Sequence, residues 1–251
     1  MFIDIHCHAN LYMNLEDILK EAEANNVKKV IAVSMSQKSL KRIIELSAKF
    51  DNLYPALGIH PEEVKMNDKI EEQLDSVKDY IRNNQNDIVG IGEIGLDHHF
   101  VKENDLYPIQ EKIFKSMLEL AQQLHLPVNL HTKGAEQEVF DILSSYDIPH
   151  VNIHWYSGPE KFLEIGIERG YFFSITPAIF YSPPVKKVVR KINIDHLLLE
   201  SDGPVKYSGK VGTPAMVKDV LVEIAKMKKC DKKDLEMQIE KNTKKIFPKL
   251  F

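Results

Sequence analysis

His6 and His8 stand two residues apart in the opening segment Phe2-Ile3-Asp4-Ile5-His6-Cys7-His8. Alternate side chains of an extended strand share a face, so both imidazoles can reach one ion while Cys7 turns the other way. Taken alone, the pair also reads as two histidines hydrogen-bonded in a barrel mouth. Glu93, His131, His154 and Asp202 sharpen the choice, because each falls late in, or at the end of, a run rich in Val, Ile, Leu and Phe. Carboxylates inside such runs are costly to bury unless they are paired or bound to a metal. Four neutral imidazoles and two carboxylates suffice for two divalent ions, with Glu93 placed to bridge them and positions left open for water and substrate. By formal charge such a centre carries roughly +4 from metal against −2 from carboxylate, which suits an anionic substrate. Mixed imidazole and carboxylate ligation favours Zn²⁺, Mn²⁺ or Co²⁺, whereas Mg²⁺ prefers oxygen donors.

These groups must be brought together by the elements that carry them. Eight apolar runs recur along the 251 residues: Phe2 to His8, Lys29 to Met35, Leu53 to His60, Ile88 to Leu96, Pro127 to His131, Val151 to Tyr156, Tyr171 to Thr176 and Leu197 to Asp202. Several are continuously apolar, as strands covered on both faces must be, and each is followed by a stretch of helical period. Leu15, Ile18, Leu19 and Ala22 make one such stripe. Ile113, Phe114, Met117, Leu118 and Ala121 make another, and Val217, Val220, Leu221 and Ile224 a third. Alternation of this kind predicts the α/β class and a single (β/α)₈ barrel over residues 1–251, closed by one or two C-terminal helices in the lysine-rich stretch Lys226 to Lys249. An open doubly wound sheet would call for a glycine-rich phosphate loop after the first strand, where this chain has His6-Cys7-His8. A barrel places its chemistry at the C-terminal ends of several strands, where the six candidates fall. Gly58, Gly90, Gly92 and Gly95 interrupt strand-like runs and predict bulges or close backbone approach. Thr213-Pro214 reads as an N-cap with its first helical residue, and Ser157 to Glu160 as a capping box.

The net charge of −4 gives no global electrostatic case for nucleic-acid binding. Positive charge is nearly all lysine, with Arg42, Arg82, Arg169 and Arg190 the only arginines, so bidentate phosphate recognition is sparse. Two cysteines, Cys7 and Cys230, fit a reducing compartment, and neither a leader nor a membrane-length apolar run is evident. The expectation is a cytoplasmic protein with no membrane association and no obligatory protein partner.

DIHCH (Asp4 to His8), GIHPEEV (Gly58 to Val64), GEIGLD (Gly92 to Asp97), LPVNLHTKGA (Leu126 to Ala135), IHWYSG (Ile153 to Gly158) and ESDGP (Glu200 to Pro204) occur in that order, and NTKKIF (Asn242 to Phe247) follows. In these motifs the chain resembles the TatD family of metal-dependent deoxyribonucleases, within the amidohydrolase superfamily. The resemblance implies hydrolysis of DNA phosphodiesters by metal-activated water, in many members as an exonuclease from the 3′ end, with single-stranded DNA or 3′ ends as substrate. It also keeps Mg²⁺ among the candidate ions. Matched by position, His6, His8 and Asp202 would hold one ion, His131 and His154 the other, and Glu93 both. Asp202 is the group expected to orient and deprotonate the water, and Glu93 is catalytic beside it.

The family usually carries an arginine where this chain has Lys133, a cysteine where it has Trp155, and an Asn-Glu-Pro-like segment where it reads Val211-Gly212-Thr213-Pro214. Those departures touch substrate contacts rather than metal ligands. Lys133 is a point charge without the planar fork of arginine. His60, before Pro61, reads either as a phosphate contact or as a hydrogen-bonding support for a ligand, and in neither reading as a ligand itself. Trp155 offers an aromatic face to a base, although strand alternation directs it outward against a helix. His98 and His99 form a loop over the mouth that can touch substrate or stay solvated. Two other functions stay open: an amidohydrolase-type esterase or deacylase acting on a small or aminoacyl substrate, and a non-catalytic metal-binding interaction protein.

Overall fold

In the computed structural model, which describes all 251 residues, every apolar run coincides with a strand, β2 beginning two residues ahead of its run. These are β1 (Phe2–Cys7), β2 (Val27–Val33), β3 (Leu53–Leu57), β4 (Gly90–Gly95), β5 (Val128–His131), β6 (Val151–Ile153), β7 (Phe172–Ile175) and β8 (Leu197–Leu199). They pair in parallel, in chain order, as one sheet. Around them lie α1 (Leu15–Ala24), α2 (Gln37–Lys49), α3 (Glu63–Met66), α4 (Ile70–Asn83), α5 (Tyr107–Leu124), α6 (Glu136–Leu143), α7 (Glu160–Glu168), α8 (Pro183–Lys191), α9 (Val217–Lys228) and α10 (Lys232–Ile246). The expected stripes are buried on α1, α5 and α9. The architecture is the (β/α)₈ barrel, with α10 following the last βα unit.

The seam between β8 and β1 is closed by a few bonds of another kind. Asp202 N–H donates to the His6 carbonyl (2.9 Å), His8 N–H donates to the Gly203 carbonyl (2.8 Å), and the buried Asp4 carboxylate accepts from Ser201 N–H (2.8 Å) and Ser201 Oγ (2.6 Å). Burial pushes Asp4 up to about 7, against the lowering effect of its Ser201 bonds.

Inside the barrel, apolar Ile3, Ile31, Val33, Ala56, Phe172 and Leu198 meet Ile246, Phe247 and Leu250 from the C-terminal segment, which plugs the end where the strands begin. Above this plug runs a polar layer. Asn129 Nδ2 donates to the Ile5 carbonyl (3.1 Å), Asn152 Nδ2 to Asn129 Oδ1 (3.0 Å) and Ser174 Oγ (2.9 Å), and Ser174 Oγ to Glu200 Oε2 (2.6 Å). The larger apolar cluster lies between strands and helices. No helix is long and apolar enough to cross a membrane.

Register shifts fall between Asp4 and Cys7 in β1 and between Ile91 and Ile94 in β4. An added residue reverses which parity faces inward, so Ile3 and Ile5 can line the interior low in β1 while His6 and His8 face the mouth above. Two cap expectations need correction. Thr213 makes no side-chain cap bond, because the chain turns there through a short 3₁₀ segment (Pro214–Met216) before α9 begins. The residue before α7 is Pro159, and Ser157 accepts a hydrogen bond from Lys133 Nζ (2.8 Å) instead.

Candidate metal centre

The six residues expected at the mouth meet there, all buried: His6 in β1, His8 just after it, Glu93 in the bulged part of β4, His131 ending β5, His154 one residue past β6 and Asp202 three past β8. Asp202 and the residue after His154, Trp155, have φ of +46° and +40°. For non-glycine residues this left-handed backbone is strained, and here it turns the Asp202 carboxylate into the mouth.

Glu93 divides the cluster in two. Its Oε2 lies 3.3 Å from His6 Nε2 and 3.6 Å from His8 Nε2, and Asp202 Oδ1 lies 3.5 and 3.2 Å from the same two nitrogens. Its Oε1 lies 2.9 Å from His131 Nδ1, 3.0 Å from His154 Nε2 and 3.3 Å from His60 Nε2. Donors about 2.0–2.2 Å from a tetrahedral ion stand roughly 3.3–3.6 Å from one another; His6 with His8 and Glu93, and His60 with Glu93 and His131, come near that spacing, while His154 also groups with His6 and Asp202. A second observation agrees with this fit. His6 Nδ1 and Nε2, His8 Nδ1 and Asp202 Oδ1 are buried without a hydrogen-bond partner. Such orphans are costly unless an ion or water satisfies them.

Electrostatics bind the cluster as well. Burial opposes ionisation of Glu93, yet the imidazoles of His60, His154 and His6 hold it well below the usual carboxylate range. Burial likewise opposes protonation of His154, but Glu93 and then Glu200 raise it well above the imidazole range. His131 is raised against burial by Asp97 and Glu93, and His8 by Asp202. His60 moves the other way, because burial there outweighs the pull of Glu93.

Three buried carboxylates that the sequence reading passed over support the ring. Asp97 Oδ2 lies 2.6 Å from His131 Nε2, while its Oδ1 accepts the N–H groups of His99 (2.8 Å), Phe100 (2.5 Å) and Val101 (3.4 Å). Burial opposes its ionisation, but the bond from His131 brings Asp97 down to about 2. The Asp97 contact leaves His131 Nδ1 to face Glu93, and so fixes the tautomer that can bind an ion. Glu200 lies 3.4 Å from His154 Nδ1 and accepts from Trp155 N–H at 2.7 Å. Asp4 closes the seam beside Asp202. Each is a carboxylate in or beside an apolar run, as Glu93 is, so their burial was foreseeable although their partners across the barrel were not.

Above the cluster opens a cavity of about 520 Å³ whose wall includes Met35, His60, Phe100, Lys133, Trp155 and Val205. His60 lies closer to the centre than either expectation placed it, with Nε2 in the group formed by Glu93 and His131. Lys133 is half-buried, bonded to Ser157, and 5.7 Å from the Trp155 ring; burial lowers its ammonium below the usual lysine range. The outward orientation expected for Trp155 is corrected: β6 ends at Ile153, alternation stops there, and the indole lines the cavity against Tyr207, 5.6 Å between centroids. Neither His98 nor His99 is among the lining residues; His98 stacks on Tyr107 at 3.7 Å.

A parallel eight-stranded barrel with imidazoles and carboxylates gathered over the C-terminal ends of its strands is a scaffold that can hold metal ions for catalysis. The chain belongs to the TatD-related DNase family, whose model matches residues 3–248. It is accordingly a metal-dependent hydrolase acting on ester bonds. Among its relatives, an uncharacterized metal-dependent hydrolase of Methanocaldococcus jannaschii is 35% identical over 98% of this chain and 96% of the relative. The human protein named deoxyribonuclease TATDN3 is 28% identical over 99% of this chain and 95% of its own. The crystal structure of YJJV, a TatD homologue from Escherichia coli, superimposes with a TM-score of 0.90 at 24% identity, covering 98% of each chain.

Proposed function

We propose that residues 1–251 act as one unit that hydrolyses DNA phosphodiester bonds, at single strands or 3′ ends, with two divalent ions. The observation that carries this reading is the division of Glu93, one carboxylate oxygen toward each group of nitrogens. His6, His8 and Asp202 would hold one ion, His131 and His154 the other, and Glu93 both; the position of His60 makes it a further donor to the second. Ions held there would supply Lewis acidity toward a phosphoryl oxygen and lower the pKa of the attacking water. Asp202 orients that water and accepts its proton, Lys133 draws a non-bridging phosphate oxygen into the mouth, and the Trp155 face receives a base. Two carboxylates among imidazoles suit Zn²⁺, Mn²⁺ or Co²⁺, and the family resemblance keeps Mg²⁺ as a candidate.

The test is incubation of purified protein with each ion and end-labelled single- and double-stranded DNA, beside a panel of esters, amides and aminoacyl esters. Progressive shortening of single strands is expected. Ester turnover with intact DNA would move the assignment to the esterase alternative. Glu93→Ala and Asp202→Ala should each reduce turnover by at least about a thousandfold while leaving the circular dichroism spectrum unchanged.

A further inference from the structure

Past Asp202 the chain forms a two-stranded ribbon, β9 (Lys206–Tyr207) and β10 (Lys210–Val211). Ser208 and Gly209 form its turn with φ of +49° and +87°, the type I′ geometry that suits a two-residue hairpin. Its root is firmly held. Tyr207 Oη donates to the Ser201 carbonyl (2.7 Å), Gly212 N–H to the Val205 carbonyl (2.8 Å) and Tyr12 Oη to the Gly212 carbonyl (2.5 Å). That root is also part of the cavity wall, because Pro204 and Val205 line it and Tyr207 backs Trp155.

Beyond the root, Lys206 and Lys210 are exposed and have no ion-pair or hydrogen-bond partner. Lys65, Lys102 and Lys133, in the segments after β3, β4 and β5, are engaged: Lys65 with Glu103 and the Phe100 carbonyl, Lys102 with the His98 carbonyl, Lys133 with Ser157. Lys206 pairs across the ribbon with Val211, which is 44% exposed, and Lys210 with the buried Tyr207, so the two lysines project from opposite faces of the ribbon and flank it on both sides. Within the cavity Lys133 is the single lysine or arginine, and Glu62 and Glu136 share the wall with it. One phosphate can therefore be drawn in by lysine, while the next ones along the strand meet acidic wall or must leave on the ribbon side.

We infer that the β9–β10 ribbon is the arm along which the substrate strand leaves the cavity, its next phosphates held by Lys206 and Lys210. This rests on the nuclease reading above. The test compares wild type with the Lys206→Gln/Lys210→Gln pair on two substrates: a labelled single-stranded oligonucleotide long enough to cross the ribbon, and bis-para-nitrophenyl phosphate, which fits within the cavity. For the pair, KM on the oligonucleotide should rise about tenfold, and the salt dependence of log kcat/KM should become shallower by roughly 1.4, two contacts at about 0.7 each. Turnover of the small diester should stay within about twofold, and Lys206→Arg/Lys210→Arg should restore oligonucleotide binding. Unchanged KM and salt slope on an oligonucleotide that is still cut overturns the arm alone. Equal loss on both substrates also overturns it, because the lysines then serve the fold or the cavity. Wild-type enzyme that turns over the small diester and leaves DNA intact overturns the nuclease reading and the arm together.

Discussion

Asp97 illustrates how much the centre depends on groups that would never touch an ion. Its carboxylate accepts from His131 Nε2 and from three loop amides. In Asp97→Asn the amide would present N–H to Nε2, which moves the imidazole proton onto Nδ1, the nitrogen that faces Glu93. Divalent-ion affinity should then fall about 10–100-fold with the fold retained, as read by calorimetric titration of Zn²⁺ or Mn²⁺ into chelator-stripped protein. Unchanged affinity would show that Asp97 serves the loop alone. At this scale the sequence was legible where residue type and strand position coincide, as for Glu93 and His131. It was illegible where function depends on a tautomer or on reach across the barrel, as for Asp97 with His131 and Asn129 with the Ile5 carbonyl, because such pairs are distant along the chain.

The elements were legible from hydrophobic periodicity, and their ends less so. Seven of the eight strands lie within their runs and β2 starts two residues ahead of its run, at Val27, while β6 stops at Ile153 and β8 at Leu199, short of Tyr156 and Asp202. Trp155 and Asp202 then adopt positive φ, which no strand pattern announces. Polar residues caused the loss of one further feature: Asn129, Asn152 and Ser174 sit inside strands, where they form the interior polar layer. Gly95 is the element whose replacement tests the packing of β4 on β5. Its φ is +143°, and a Cβ there would lie 1.9 Å from the His131 carbonyl oxygen. Gly95→Ala should cost more than about 3 kcal/mol, measured by denaturant unfolding, since β5 cannot withdraw without moving His131. A cost under about 1 kcal/mol would mean that the strands can part there.

At the scale of the molecule, the centre joins the beginning of the barrel to its end. His6 and His8 come from β1, Asp202 follows β8, and the backbone between those strands is bridged by few bonds. Ions held by the proposed ligands across that seam would stabilise the native state by RT ln(1 + [L]/Kd), about 2.7 kcal/mol at a hundred times Kd. Thermal melts should therefore shift upward by several degrees when Zn²⁺ or Mn²⁺ is added to stripped protein and return on chelation, in the absence of any substrate. A midpoint indifferent to added ion would remove the proposed ligand set.

The closed seam also has a consequence for biosynthesis. While the first two hundred residues emerge from the ribosome, His6 and His8 are already available but the carboxylate that completes their group is not. A nascent chain of that length has imidazoles in an unfinished ring, and on the proposed ligand set it would hold metal weakly. On that ligand set secure metallation would wait until Asp202 has left the exit tunnel and the last strand has docked beside the first, which would make ion capture one of the closing events of folding.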